Sequence, residues 1–283
     1  MDNYRKSVEY NKKILKDSEY FISKYKNFYN KLDKSDLEGL SYYKGSGYYM
    51  LNYLLNNNKL SNEYLINYIE KSKDGKEVTM SGLKDYVKFK INKLLENILK
   101  LEKVFQKAPK SDKKLSVFRG ISETDTKIIS QYKVGDKIKF NSYTSTSFSP
   151  EVSASYMKNR FTKKLNCCFM VIEIPKNVKM IYLPWVNQDN NKQNLTDHTF
   201  EGDEFELLLP RGCEFVVTKI DKVKTTDLFL NYNKTYKELQ KDISSNNKTA
   251  IYYLKYIGEN PNKLDFNADN IISTINKVCI RIY

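Results

Sequence analysis

The chain has 283 residues, 40% of them hydrophobic and 13% aromatic, a composition that excludes disorder and supplies a sizeable core for one large domain or two fused lobes. The formal net charge of +14 implies attraction to acidic surfaces, yet the lysines are spread along the chain without a run of five and without a nucleic-acid motif, so they read as a solvated surface. No apolar run approaches the roughly 18 residues that would cross a membrane, and the charged start, Met1 to Lys6, shows no secretion signal.

Helical periodicity dominates the first part, residues 1–110. Residues 4–30 form an amphipathic candidate with Tyr and Ile on one side. Leu83, Val87, Ile91, Leu94, Ile98, Leu101 and Phe105 recur at three and four residues, one apolar face of a long helix that Pro109 closes. Strand signals take over in residues 111–222: Leu115 to Phe118, Lys137 to Thr146, Cys168 to Ile174, Val178 to Leu183, Glu204 to Leu209 and Glu214 to Ile220. Pro210-Arg211-Gly212 reads as the turn of a hairpin joining the last two strands. The remainder, residues 223–283, reads as a C-terminal extension: a polar surface insertion to Thr249 and a closing strand at Val278 to Tyr283. The expectation is one domain over residues 1–283.

Metal and disulfide chemistry have little to build on. Cys167 and Cys168 are adjacent, Cys213 and Cys279 stand alone, and no Cys-x-x-Cys spacing occurs. The single histidine, His198, reads as a solvated loop residue, so no zinc ligand set exists and no metal is expected. Carboxylates are left as the main candidates for acid or base work.

Three segments carry candidate chemistry. Leu115-Ser116-Val117-Phe118-Arg119-Gly120 is a short apolar strand ending in an arginine, in a chain where only Arg5, Arg119, Arg160, Arg211 and Arg281 among 48 basic residues are arginine. A chain so biased towards lysine keeps arginine mainly where the planar two-pronged fork is needed. Phe140 to Pro150 is a second strand that ends in the hydroxyls of Ser145, Thr146 and Ser147. In Gly202-Asp203-Glu204-Phe205-Glu206, followed by Leu207-Leu208-Leu209, strand alternation places Glu204 and Glu206 on one face, where like charges oppose each other's ionisation. The pair is a catalytic candidate; the plain alternative is an exposed strand edge with two solvated acids.

Taken in order, Phe-Arg-Gly, Ser-Thr-Ser and Glu-x-Glu before Leu-Leu-Leu-Pro-Arg-Gly, the set resembles the arginine, serine, glutamate signature of the mono-ADP-ribosyltransferases, in the branch that includes binary-toxin catalytic subunits and phage or viral enzymes. Leu40 to Leu55 is similar to the helical stretch that opens the family's core, and Leu94 to Arg119 to the helix and linker that deliver its arginine strand. The resemblance extends over about residues 35–222. It implies an α+β fold, two small, mainly antiparallel sheets around a cleft for nicotinamide adenine dinucleotide (NAD), with N-terminal helices. No glycine-rich Rossmann or P-loop motif competes with that reading.

The resemblance also implies roles. Glu206 stabilises the cation that develops when nicotinamide leaves its ribose, and Ser145 holds Glu206, with Thr146 and Ser147 supporting the strand end. Arg119 grips the diphosphate or adjoining ribose, and Gly120 offers its backbone to the nicotinamide amide. Phe148 or Tyr156 covers the nicotinamide. Glu204 activates the nucleophile, and a glutamate there accompanies transfer to arginine. Phe200, Glu201 and Gly202 correspond to the loop that reads the target protein. The implied activity is transfer of ADP-ribose from NAD to an arginine of a target protein by a toxin, effector or host modifier. It would act in the cytoplasm of the producing or a target cell, after export, if any, by a route that reads no signal peptide. An NAD glycohydrolase and a catalytically inactive NAD-fold interaction module are the alternatives.

Overall fold

The computed structural model describes residues 2–57, 80–121, 123–157, 168–183, 205–224 and 248–264. The first helix, α1 (Asp2–Tyr29), buries Phe21, Tyr25 and Phe28 along one face, with Tyr29 beside them. Its last turns are tied to the strand region by phenols: Tyr25 Oη donates to the Met180 carbonyl at 2.6 Å and Tyr29 Oη to the Tyr182 carbonyl at 2.5 Å. Helix α1 thereby belongs to the unit formed by Met1–Lys31 and Ala108–Asn260, which holds every described strand.

The other unit, Leu32–Lys107 with Pro261–Tyr283, carries α2 (Lys34–Tyr42), α3 (Tyr48–Asn57) and α4 (Met80–Lys107). The expected stripe is the buried face of α4: Val87, Ile91, Leu94, Ile98, Leu101 and Phe105 are all buried. Asp33 caps α2 in a capping box with Asp36. Asp36 is fully buried and is held by Lys107, with Lys103 at 3.6 Å. The helical stretch expected over Leu40 to Leu55 is interrupted by a π-helical turn, Tyr43–Gly47, in which Gly45 leaves helical geometry. Gly45 and Gly47 are poor helix formers, which lowers the cost of the kink.

Among the described residues eight strands make one sheet: β1 (Leu115–Ile121), β2 (Lys137–Phe140), β3 (Thr144–Ser147), β4 (Cys168–Ile174), β5 (Ile181–Leu183), β6 (Glu206–Leu209), β7 (Cys213–Lys224) and β8 (Lys248–Glu259). Their order is β2-β7-β8-β4-β1-β3-β6-β5. All pairings are antiparallel except β4 with β8. Between β1 and β3 a single register pair, Phe118 with Ser147, joins a five-stranded half to a three-stranded half. The two small sheets expected from the resemblance are these halves.

Several boundaries differ from expectation. The single strand expected over Lys137 to Thr146 is two, because the chain crosses between halves at Asn141-Ser142-Tyr143: β2 pairs with β7, and β3 with β6. Pro210-Arg211-Gly212 is not a hairpin turn, since β6 and β7 lie in different halves and do not pair. It is another crossover between the halves. Gly212, at φ +76°, donates its N–H to the Phe140 carbonyl at 2.8 Å and fastens this crossover to the one that follows β2. Strand β8 was not expected: Thr249 to Ile257 is rich in β-branched and aromatic residues and lies between β7 and β4. The stretch expected as a polar insertion begins as the end of β7 and finishes as the start of β8. Residues 225–247 and the expected closing strand lie outside the described residues.

Two short helices, α5 (Glu123–Ile129) and α6 (Pro150–Ser155), are the unit's other helices among the described residues. Ser149 caps α6, and Pro150 starts it. Below α6, Ala154, Met157, Phe169 and Ile251 form a buried cluster. Ser153 Oγ donates to the Phe118 carbonyl at 2.9 Å, which pins the helix to β1. Among the described residues, no helix is long and apolar enough to cross a membrane.

Close approach of α6 to β1 depends on Gly120. A Cβ there would lie 2.0 Å from the Ser153 carbonyl oxygen and 2.9 Å from Met157 Cγ. Gly120→Ala is therefore expected to destabilise the protein by about 1–3 kcal/mol through overpacking. Urea denaturation measures it, as a lower midpoint at unchanged slope.

Candidate active site

The β3–β6 ladder aligns Thr144 with Leu209, Ser145 with Leu208, Thr146 with Leu207 and Ser147 with Glu206. Directly opposed residues share a face, so Ser145, Ser147, Glu206 and Leu208 lie on one side of the ladder. Ser145 and Glu206 are diagonal neighbours there, and Ser145 Oγ donates to Glu206 Oε1 at 2.5 Å. The carboxylate is only 6% exposed, so this short, charge-assisted bond offsets part of its lost hydration. Thr146 faces the other way. Its hydroxyl donates to the Leu207 carbonyl at 2.6 Å, securing the ladder itself. Ser147 Oγ accepts the Ser149 N–H at 3.0 Å and turns the chain into α6.

Arg119 reaches the same place from β1. Its Nη1 donates to the Ser145 carbonyl at 2.5 Å, so arginine, serine and glutamate form one connected series. The Arg119 Nε is buried and has no hydrogen-bond partner among the described residues. A buried donor without an acceptor is costly, and an anionic oxygen would satisfy it. Gly120 follows, but the space its missing Cβ leaves is taken by Ser153 of α6, so packing already explains this glycine.

Strand β6 begins at Glu206, two residues later than expected. Phe205 has φ +46°, in the left-handed region, so strand alternation does not extend across it to Glu204. The alternation expected to place Glu204 and Glu206 on one face therefore stops at Phe205. Glu204, with Phe200, Glu201, Gly202 and His198, lies outside the described residues. Phe148 is buried, stacked on Phe21 at 5.3 Å and tilted against Phe205 at 5.1 Å, and is committed to the core. Tyr156, at the C-terminal end of α6, is 48% exposed.

Sequence reasoning missed Tyr29. Burial holds its phenol well above the ordinary range, reinforced by Tyr25, Tyr182 and the Glu206 carboxylate, so the hydroxyl stays a donor beside the site. A tyrosine at the end of the apolar face of residues 4–30 was the available signal. Among the described residues, no group of three or more His, Cys, Asp or Glu side chains could hold a metal ion.

The fold is shared with ADP-ribosylating toxins of known structure. The structure is similar to the ADP-ribosylating toxin BECa of a binary enterotoxin of C. perfringens, solved with NADH (13% identity, TM-score 0.55, covering 86% of this chain and 48% of that one). It is also similar to Plx2a, an ADP-ribosyltransferase toxin from Paenibacillus larvae (13%, 0.51, 87% and 97%). A third similar structure is the enzymatic component C2-I of the C2 toxin from Clostridium botulinum (14%, 0.51, 87% and 48%). The chain thus spans about half the length of BECa and of C2-I. Comparison with curated proteins gives no match. The chain belongs to the ADP-ribosyltransferase exoenzyme family, which it matches over residues 18–228.

Because Glu206 is buried, removing its donor has a cost of its own. Ser145→Ala is expected to lower folding stability by about 1–3 kcal/mol at neutral pH, the range for a lost bond to a charged, buried acceptor. Chemical denaturation beside Thr146→Val, which loses a neutral bond to a carbonyl, checks that Ser145→Ala is the more damaging.

Proposed function

We propose that the chain is an NAD-dependent mono-ADP-ribosyltransferase that transfers ADP-ribose to an arginine of a target protein and releases nicotinamide. The observation that carries the proposal is the series Arg119 to Ser145 to Glu206, three residues from three strands bonded in one place at 2.5 Å per step. Family membership and the NADH held by BECa support NAD as the co-substrate.

In this reading Arg119 binds the diphosphate or adjoining ribose through its fork, with the buried Nε as one donor. Glu206, held by Ser145, stabilises the positive charge that develops at the ribose C1′ as the bond to nicotinamide breaks and its electron pair leaves with nicotinamide. A nitrogen of the target arginine then bonds to C1′, and Glu204 takes the proton it loses. Arginine as acceptor rests on Glu204 standing two residues before Glu206. Gly120, Ser147 and Tyr156 are the supporting contacts of the co-substrate site, Thr146 secures the strand end behind it, and Phe200, Glu201 and Gly202 are the loop that meets the target. The protein would act as a toxin, effector or host modifier in the cytoplasm of the producing or a target cell.

Two expected outcomes test the assignment. Glu206→Gln keeps shape and loses charge, so nicotinamide release should fall by orders of magnitude, on the scale of roughly 3 kcal/mol or more for a lost electrostatic stabiliser. Wild-type turnover in that variant would remove Glu206 from the mechanism.

The second outcome separates donor from acceptor chemistry. Glu204→Ala should abolish modification of agmatine, an arginine analogue, while slow nicotinamide release continues with water as acceptor. Nicotinamide is measured with and without labelled agmatine. Wild-type protein that releases nicotinamide but labels neither agmatine nor protein arginine would instead be a glycohydrolase.

A further inference from the structure

Phe205 stands between the two motif glutamates at φ +46°, a conformation that a bulky residue keeps only where its surroundings hold it. Its side chain supplies the hold. The ring is 7% exposed and lies 5.1 Å from Phe148, which itself contacts Phe21 of α1 at 5.3 Å and Tyr182 of β5 at 6.0 Å. The backbone adds a second grip, since the Phe148 N–H donates to the Phe205 carbonyl at 3.3 Å, one step beyond the Ser147–Glu206 pair. Glu206 is the next residue, flanked by Ser147 on one side and Leu183 on the other.

We propose that Phe205 is a positioning residue for Glu206: its buried ring locks the left-handed turn, and the turn sets the backbone from which the Glu206 carboxylate meets Ser145 Oγ. Without the ring, a residue that has a Cβ relaxes out of the left-handed region and rotates the peptide that leads into Glu206. Helix α1 and β5 reach the site through the same rings. The inference rests on Glu206 being the group that stabilises the charge at the ribose.

The test is the order of three variants in steady-state nicotinamide release from NAD, each checked for folding by circular dichroism. Phe205→Leu keeps the buried apolar side chain and should stay within about threefold of wild-type kcat. Phe205→Ala loses the hold and retains the strain, so kcat should fall about tenfold or more with KM for NAD nearly unchanged. Phe205→Gly loses the same packing but tolerates positive φ, so it should be more active than Phe205→Ala. A role limited to filling space predicts the reverse, because glycine removes more and loosens the chain. Ser145→Ala and Phe205→Ala should also be non-additive, since both act by placing one carboxylate.

Phe205→Ala equal to wild type, or more active than Phe205→Gly, would overturn the inference while leaving the transferase reading intact. Should Phe205→Ala fail to fold, Phe205→Ile decides: it has the volume of Phe205→Leu but a branched Cβ that disfavours positive φ, so a kcat several-fold below that of Phe205→Leu at unchanged KM supports the inference, and a kcat equal to it overturns the inference. A folded wild-type chain that releases no nicotinamide overturns the transferase reading and this inference together.

Discussion

A carboxylate that is 6% exposed needs donors inside the protein, and the neighbourhood of Glu206 is arranged around that need. The β3–β6 register makes Ser145 its diagonal neighbour, and the Ser145 hydroxyl donates to it at 2.5 Å. Were the register to slip by one residue, the alternation would turn Glu206 towards the face that now carries Thr146 and Leu207. Thr146, bonded to the Leu207 carbonyl, and the leucine run beyond Glu206 hold the register against such a slip.

The junction between the two halves of the sheet brings Arg119 into this arrangement. Only Phe118 and Ser147 pair across it, so β1 and β3 diverge beyond that point, and Arg119 spans the opening to the Ser145 carbonyl. The crossovers at residues 141–143 and 210–212 are fastened to each other by Gly212. Gly120 contributes by packing, because it lets α6 sit directly on β1. The site is thus a consequence of how two strand sets are joined, and most residues around it serve that joint.

Aromatic packing sets the remaining constraint. Phe21, Phe148, Tyr182 and Phe205 link α1, the chain after β3, β5 and the entry to β6. Tyr25 and Tyr29 add hydrogen bonds from α1 to the carbonyls of Met180 and Tyr182. The first helix belongs to the strand-bearing unit for this reason, although sequence periodicity groups it with the helices that follow.

Local rules were enough for much of this. The stripe on α4 shows in the sequence because a 3.6-residue period is a property of one segment. The arginine stands out in a lysine-rich chain, and with the hydroxyl strand end and Glu206 it resembles, in order, the family's signature. Tertiary structure decided what depends on distant partners. It split Lys137 to Thr146 into two strands and removed the hairpin at Pro210-Arg211-Gly212, because pairing partners are chosen across the sheet and not along the chain. It inserted β8 between β7 and β4, where an apolar, β-branched segment finds two partners at once. It also gave Gly120 a packing reason and placed Phe205 at positive φ, since both depend on atoms that only folding brings near: a carbonyl of α6 for one, the ring of Phe148 for the other.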